Sequence, residues 1–321
     1  ISNEIAALDI RKGGTLLVKW CAFRNNTGYY GAGIFVDKFT NIQLEKTNFI
    51  LNSVDYSGGG LEINHGTAVL VKMSTFQNNT ADHNSGSGGG ICLKNCKNIQ
   101  IERTFFVQNS VAYSGGGLEI EGSDELLVIR CIFEKNTASS GAGIFLDKSN
   151  FSQIDSTIFI VNSMDDIGSG LAAVNCKNIQ VERSHFLFNL GPNSATVLLT
   201  RDCEHFYCFS CIFMHNSLGG MEIVTADYNL IKNCTFKNCN SNNGGGVYVS
   251  DSGMFQIETT RFMFSSASVD GGGIYFTDCG VVTINNCYFL HNSANRGGGI
   301  YVDGGLLQIT LTKFLSNTAS F

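Results

Sequence analysis

The chain has 321 residues, of which 37 are glycine and one, Pro192, is proline; 43% are apolar, 15% are charged, and the net charge is -6. So sparse and slightly acidic a charge set excludes nucleic acid and anionic membrane as partners, because both require dense Lys/Arg patches. No apolar run reaches the roughly 18 residues that would span a bilayer.

Taken in chain order, the elements begin with a strand in which Ala6, Leu8 and Ile10 alternate. A signature of Phe, two variable residues and Asn then recurs to the end. Its copies are Phe23/Asn26, Phe49/Asn52, Phe76/Asn79, Phe106/Asn109, Phe133/Asn136, Phe159/Asn162, Phe186/Asn189, Phe213/Asn216, Phe289/Asn292 and Phe314/Asn317. Phe236 and Phe262 keep the ring but set Cys239 and Ser265 in the Asn position. Glycine corners running into alternating strands follow most copies, as in Gly58-Gly59-Gly60-Leu61-Glu62-Ile63 and Gly271-Gly272-Gly273-Ile274-Tyr275-Phe276. Short strands such as Asn98-Ile99-Gln100-Ile101-Glu102 precede each Phe. Two residues before each Phe stands a small side chain, from Cys21, Thr47 and Ser74 to Thr312.

A unit of about 26 to 27 residues with two or three short strands is too small to bury its own apolar side, so it must stack on copies of itself. The sequence therefore predicts an all-β, right-handed parallel β-helix of about 12 coils forming a single domain over residues 1–321, a rod roughly 55 to 60 Å long. Identical positions then lie one above another. Phe stacks on Phe, and the inward Asn residues form an amide ladder that satisfies their polar groups.

The paired Phe-x-x-Asn and Gly-Gly-x-[Ile/Leu/Val] motifs resemble the polymorphic outer-membrane protein repeats of chlamydial surface adhesins, over about Leu16 to Asn317. That resemblance implies a right-handed β-helical region displayed outside the cell for adhesion or as surface structure. Four N-x-[ST] sequons, at Asn25, Asn78, Asn150 and Asn233, agree with a secretory route and predict glycosylated asparagines. An extracellular or cell-surface structural or adhesive solenoid, not an enzyme, is the leading expectation; the alternative is a carbohydrate-active β-helix enzyme, a polysaccharide lyase or hydrolase. No cofactor is expected. Neither chain end reads as a polar cap, so a longer protein, or end-to-end association with other chains into a fibre, is expected as well.

Candidate sites fall in particular columns. Coils 190–243 are the least regular, with residues 193–196 replacing a glycine corner, and hold five of the twelve Cys. Cys208-x-x-Cys211 with Cys234 and Cys239 has a spacing open to zinc, but buried thiols or bridges are expected there and no metal. Cys176 with Cys203, and Cys211 with Cys234, occupy shared columns in adjacent coils, within reach of a disulfide. On the outward strand column, Glu62, Glu119 and Glu222 lie in coils that are not neighbours, and Asp165-Asp166 is a solvated doublet. The same column carries Tyr248, Tyr275 and Tyr301 in successive coils, a strip suited to stacking on sugars or packing on another chain. Mutual stabilisation of the stacked rings is the competing reading.

Overall fold

The computed structural model describes residues 6–192 and 196–321, and among these every regular element is a β-strand. The corner expected at residues 193–195 lies outside the described residues. All strand pairings are parallel and join one coil to the next. The chain is a β-solenoid in which twelve phenylalanine strands stack into one ladder, giving about eleven full turns.

Each coil has four faces. The first follows the glycine corner, as in Leu61–Asn64 and Ile274–Thr277. The second, as in Val69–Lys72 and Val281–Asn285, joins the first in a single 20-stranded sheet, because strands such as Ile34–Glu45 and Gly219–Lys232 run through the bend. The third face is the 12-stranded ladder of three-residue phenylalanine strands. The fourth is a side wall of two separate sheets: six strands from Thr27–Tyr30 to Ser163–Ile167, and four from Asn240–Asn243 to Thr318–Ala319. Among the described residues, two coils between Ile167 and Asn240 contribute no strand to this wall.

The third face is built as the repeat requires. All twelve Phe rings stack, with centroids 4.5 to 5.3 Å apart and planes within 10°. Beside them runs the amide ladder. The Nδ2 of Asn109 donates to Oδ1 of Asn136 at 3.0 Å and to the Phe76 carbonyl at 2.9 Å, while the Asn109 N–H donates to the same Oδ1. These bonds recur at Asn26, Asn52, Asn79, Asn136, Asn162 and Asn189, and resume at Asn292 with Asn317 as acceptor. Cys239 and Ser265 interrupt the run, so Asn216 keeps only its bond to the Phe186 carbonyl on that side chain's donor end.

The residue before each ladder Asn bends the chain in the left-handed region even where it is Leu51 or Val161, at φ 58° and 54°. Bulky and β-branched residues avoid that region, and the ladder on one side and the strand pairing on the other hold it there. Glycine is required at the opposite corner for space. A Cβ on Gly60 would sit 2.7 Å from the Gly90 carbonyl oxygen and 2.8 Å from the Phe76 ring.

The cysteines depart from expectation. All twelve are free thiols, Cys176, Cys203, Cys211 and Cys234 included. Cys176 and Cys203 are in adjacent coils of one column, as are Cys211 and Cys234, since the register pairs Val174 with Arg201 and Phe209 with Lys232. In a parallel in-register ladder, however, the Cα–Cβ bonds of neighbours point the same way. Each of these four thiols donates to the backbone carbonyl two residues earlier in its own chain, at 3.1 to 3.4 Å. The sulfur that approaches Cys234 is that of Cys208, at 3.7 Å. Cys239 stands apart in the ladder column, and among the described residues no group of His, Cys, Asp and Glu is arranged to hold a metal ion.

Candidate functional site

The outward column of the first face runs through Phe35, Glu62, Cys92, Glu119, Phe145, Ala172, Leu199, Glu222, Tyr248, Tyr275 and Tyr301 in continuous register. Its surroundings change along the rod. Glu62, Cys92, Glu119, Ala172 and Leu199 are buried, whereas Phe35, Phe145, Glu222 and the three tyrosines are half-buried.

Glu62 and Glu119 are at 1% and 7% exposure. The glycine corner packs against both, as it does against the other residues of the column: a Cβ on Gly58 or Gly115 would be 2.6 Å from the Cβ of Glu62 or Glu119. Beneath it, Ser57 Oγ donates to Glu62 at 2.8 Å, Asn64 Nδ2 donates to it at 3.1 Å, and the Lys94 ammonium stands 4.0 Å away. Glu119 is less well served. Its Oε2 and the neighbouring Ser114 hydroxyl are buried without a hydrogen bond, and burial pushes the carboxyl up to about 7, with Ser87, Lys94 and Ser114 holding back part of the rise. Burial also raises Glu62, and it raises the Cys92 thiol between them, where the two glutamates add to the rise. These two glutamates, expected to point outward, are therefore buried.

One coil past the fully buried Leu199 the column opens at Glu222. Glu222 and Tyr248 line a cleft of about 240 Å³ with Thr196, Ser241, Asn242 and Asn243. A second depression of about 300 Å³ continues it along Ser217, Asn240 and Ser266. The Thr196 hydroxyl donates to Glu222 Oε2 at 3.4 Å. Burial raises the Glu222 carboxyl above its ordinary range, Arg201 and Thr196 hold back part of the rise, and the negative charge of Asp166 adds to it. Asp165 and Asp166 are exposed on the last strand before the gap, Ser163–Ile167.

From the cleft the tyrosines lead outward. Tyr248, Tyr275 and Tyr301 are half-buried, with centroids 5.4 and 5.3 Å apart and planes tilted by 32° and 27°. Arg296 lies over Tyr301, its Cζ 4.6 Å from the ring centre, and is held by both oxygens of buried Asp270 at 2.7 and 2.6 Å. The structure thus joins two features that the sequence had kept separate, the lone outward Glu222 and the tyrosine strip.

A second aromatic cluster escaped the sequence reading because its members sit in wall segments of unequal length. Tyr30 stacks on Tyr56 at 5.3 Å, Tyr29 and His83 flank them, and all three tyrosines are exposed. A surface depression of about 670 Å³ lies along the bend between the second and third faces, lined by Asn233, Arg261, Tyr288 and Lys313 among others. It holds no carboxylate. Among the sequons, Asn25 and Asn233 are exposed at left-handed bends, Asn78 is half-buried beside the ladder, and the Asn150 amide donates to Asp124 at 2.8 Å.

Solved structures with a similar course include the Azotobacter vinelandii mannuronan C-5 epimerase AlgE6 A-module (10% identity, TM-score 0.47, covering 94% of this chain and 91% of that one). Another is ORF18 of Geobacillus virus E2 (14%, 0.40, 96% and 54%), and a third is the Agl-KA catalytic domain (12%, 0.35, 94% and 62%). Two of the three are titled by catalysis. The expectation that the chain is not an enzyme rested on outward glutamates in coils that are not neighbours and on a solvated Asp165-Asp166 doublet; it is corrected by this chain's own geometry, in which Glu222 is partly buried at the head of a cleft. No curated protein sequence matches the chain. The family described as right handed beta helix region matches residues 72–191 and 169–320, well over half of the 321 residues, and the chain belongs to that family.

Proposed function

We propose that this β-helix is a carbohydrate-active protein, a polysaccharide hydrolase that carries its substrate along the tyrosine column and cleaves it at Glu222. The observation that carries the reading is the continuity of Glu222 with Tyr248, Tyr275 and Tyr301 in one column, with a cleft at its Glu222 end. Ring faces at coil spacing suit sugar rings, which stack apolar C–H faces on aromatics. Ser241, Asn242, Asn243 and Thr196 offer donors and acceptors to hydroxyl groups.

Partial burial raises the Glu222 carboxyl, the direction a general acid requires. Glu222 delivers that proton to the glycosidic oxygen as the bond to the sugar carbon breaks. A water adds to that carbon and gives its proton to the second carboxylate, which Asp166 supplies across the gap. Display outside the cell belongs to the same reading, supported by the likeness to surface-adhesin repeats and by the exposed sequons Asn25 and Asn233.

The test is release of reducing ends from a panel of neutral, amine-bearing and acidic polysaccharides. Activity that falls by about 10² to 10⁴ in Glu222→Gln while the fold is retained supports the reading. Equal release by the wild type and Glu222→Gln, or none by either, refutes it.

A further inference from the structure

We infer that the rod carries a second glycan site, a groove for an acidic polysaccharide along the bend between its second and third faces. The inference goes beyond the cleavage proposed at Glu222, and the second face separates this groove from the tyrosine column. The groove is the depression of about 670 Å³, which runs over four successive coils. Its floor is one outward column of the third face, because the register pairs Thr235 with Arg261, Arg261 with Tyr288 and Tyr288 with Lys313. Over the preceding coils the same column holds Phe105, Ile132, Ile158, His185 and Ile212. Permanent positive charge therefore enters the column where the depression does.

Arg261 and Lys313 are exposed, and among the described residues neither has an ion-pair partner. Glu258, at the end of the adjoining strand Met254–Glu258, is held by Lys232 at 2.8 Å, so that pair adds no net charge. Two uncompensated cations thus stand two coils apart, roughly 9.6 Å, with half-buried Tyr288 between them. A glycan laid along the rod sets one sugar ring on Tyr288 and brings anionic groups of the units on either side to the guanidinium and the ammonium. Asn233, Thr259 and Asn286 flank the column with amide and hydroxyl groups for the sugar hydroxyls. A neutral chain would draw nothing from the two cations. Exposed charge pairs are weak, each worth up to about a fivefold change in affinity, so the groove selects by charge more than it binds tightly.

Calorimetric titration with three oligosaccharides of equal length tests this: a uronate oligomer, its neutral methyl ester, and an oligomer of neutral sugars carrying sulfate esters. The protein is produced without glycosylation, since a glycan on Asn233 would stand in the groove. Both acidic oligomers should bind about tenfold more tightly than the ester at low salt, the gap shrinking as salt is added. Arg261→Gln combined with Lys313→Gln should abolish the gap, and Tyr275→Ser should leave it. Lys12→Gln combined with Lys97→Gln removes the same charge from exposed lysines elsewhere on the rod and should also leave it. Tighter binding of one acidic oligomer alone supports the groove and identifies carboxylate or sulfate as its ligand. Ester binding as tight as that of both acids, or binding of none of the three, overturns the inference. So does a gap that survives in the groove variant, or one that vanishes in the lysine control or in Tyr275→Ser. Release of reducing ends by the wild type against Glu222→Gln is untouched by any of these results, so the two readings stand or fall separately.

Discussion

Replacing Glu119 with glutamine should stabilise the rod, and by an amount that depends on pH. The carboxyl lies at 7% exposure beneath Gly115, with Oε2 unbonded, and burial raises it from 4.5 to about 7. In the unfolded chain it titrates near its ordinary value. Between these two values the folded state holds a proton that the unfolded state has released, so stability falls as pH rises through that window. The contribution is fully present below about pH 4.5 and fully lost above about pH 7. At 1.36 kcal/mol per pH unit, the displacement amounts to about 3 kcal/mol. Glutamine is isosteric and cannot ionise, so urea midpoints of wild type and variant should nearly coincide near pH 4.5 and diverge to about 3 kcal/mol at pH 8. Glu62 shares the trend more weakly, because Lys94, Ser57 and Asn64 stabilise its charge. A constant offset across the pH range would refute the reasoning, as would a variant less stable than the wild type at pH 8.

Further substitutions probe the core. Asn229 lies between Phe206 and Phe255 in register, fully buried, with neither amide atom bonded; Asn229→Leu should raise stability by about 2 kcal/mol in urea unfolding. Asn136→Leu removes the acceptor of Asn109 and the donor to Phe106 and Asn162 together, and should cost at least about 3 kcal/mol by the same assay. Phe133→Ala opens a gap between two rings stacked at 4.5 and 5.1 Å, with an expected loss of about 3 to 5 kcal/mol.

Much of this architecture is legible in the residues because a solenoid writes each column as a period. Phe-x-x-Asn marks the third face, and the interruptions at Cys239 and Ser265 fall where the amide ladder breaks. The tyrosine column is legible in the same way. What alternation does not disclose is whether another segment covers an outward residue. Glu62 and Glu222 occupy one column, yet the first is 1% exposed and the second opens into a cleft lined by Ser241, Asn242 and Asn243, which belong to another strand, Asn240–Asn243. The thiols illustrate a second limit. Column and spacing place Cys176 beside Cys203, but the parallel direction of their side chains follows from backbone geometry that the spacing does not contain.

The most direct test of the account is to titrate the isotopically labelled protein with the tightest-binding oligosaccharide and follow the tyrosine ring resonances. The account predicts shifts concentrated at Tyr248, Tyr275 and Tyr301, abolished in Tyr275→Ser, with Tyr29, Tyr30 and Tyr56 on the opposite stretch of the rod unmoved. Shifts at Tyr29, Tyr30 and Tyr56 with a silent Tyr248 to Tyr301 column would contradict it.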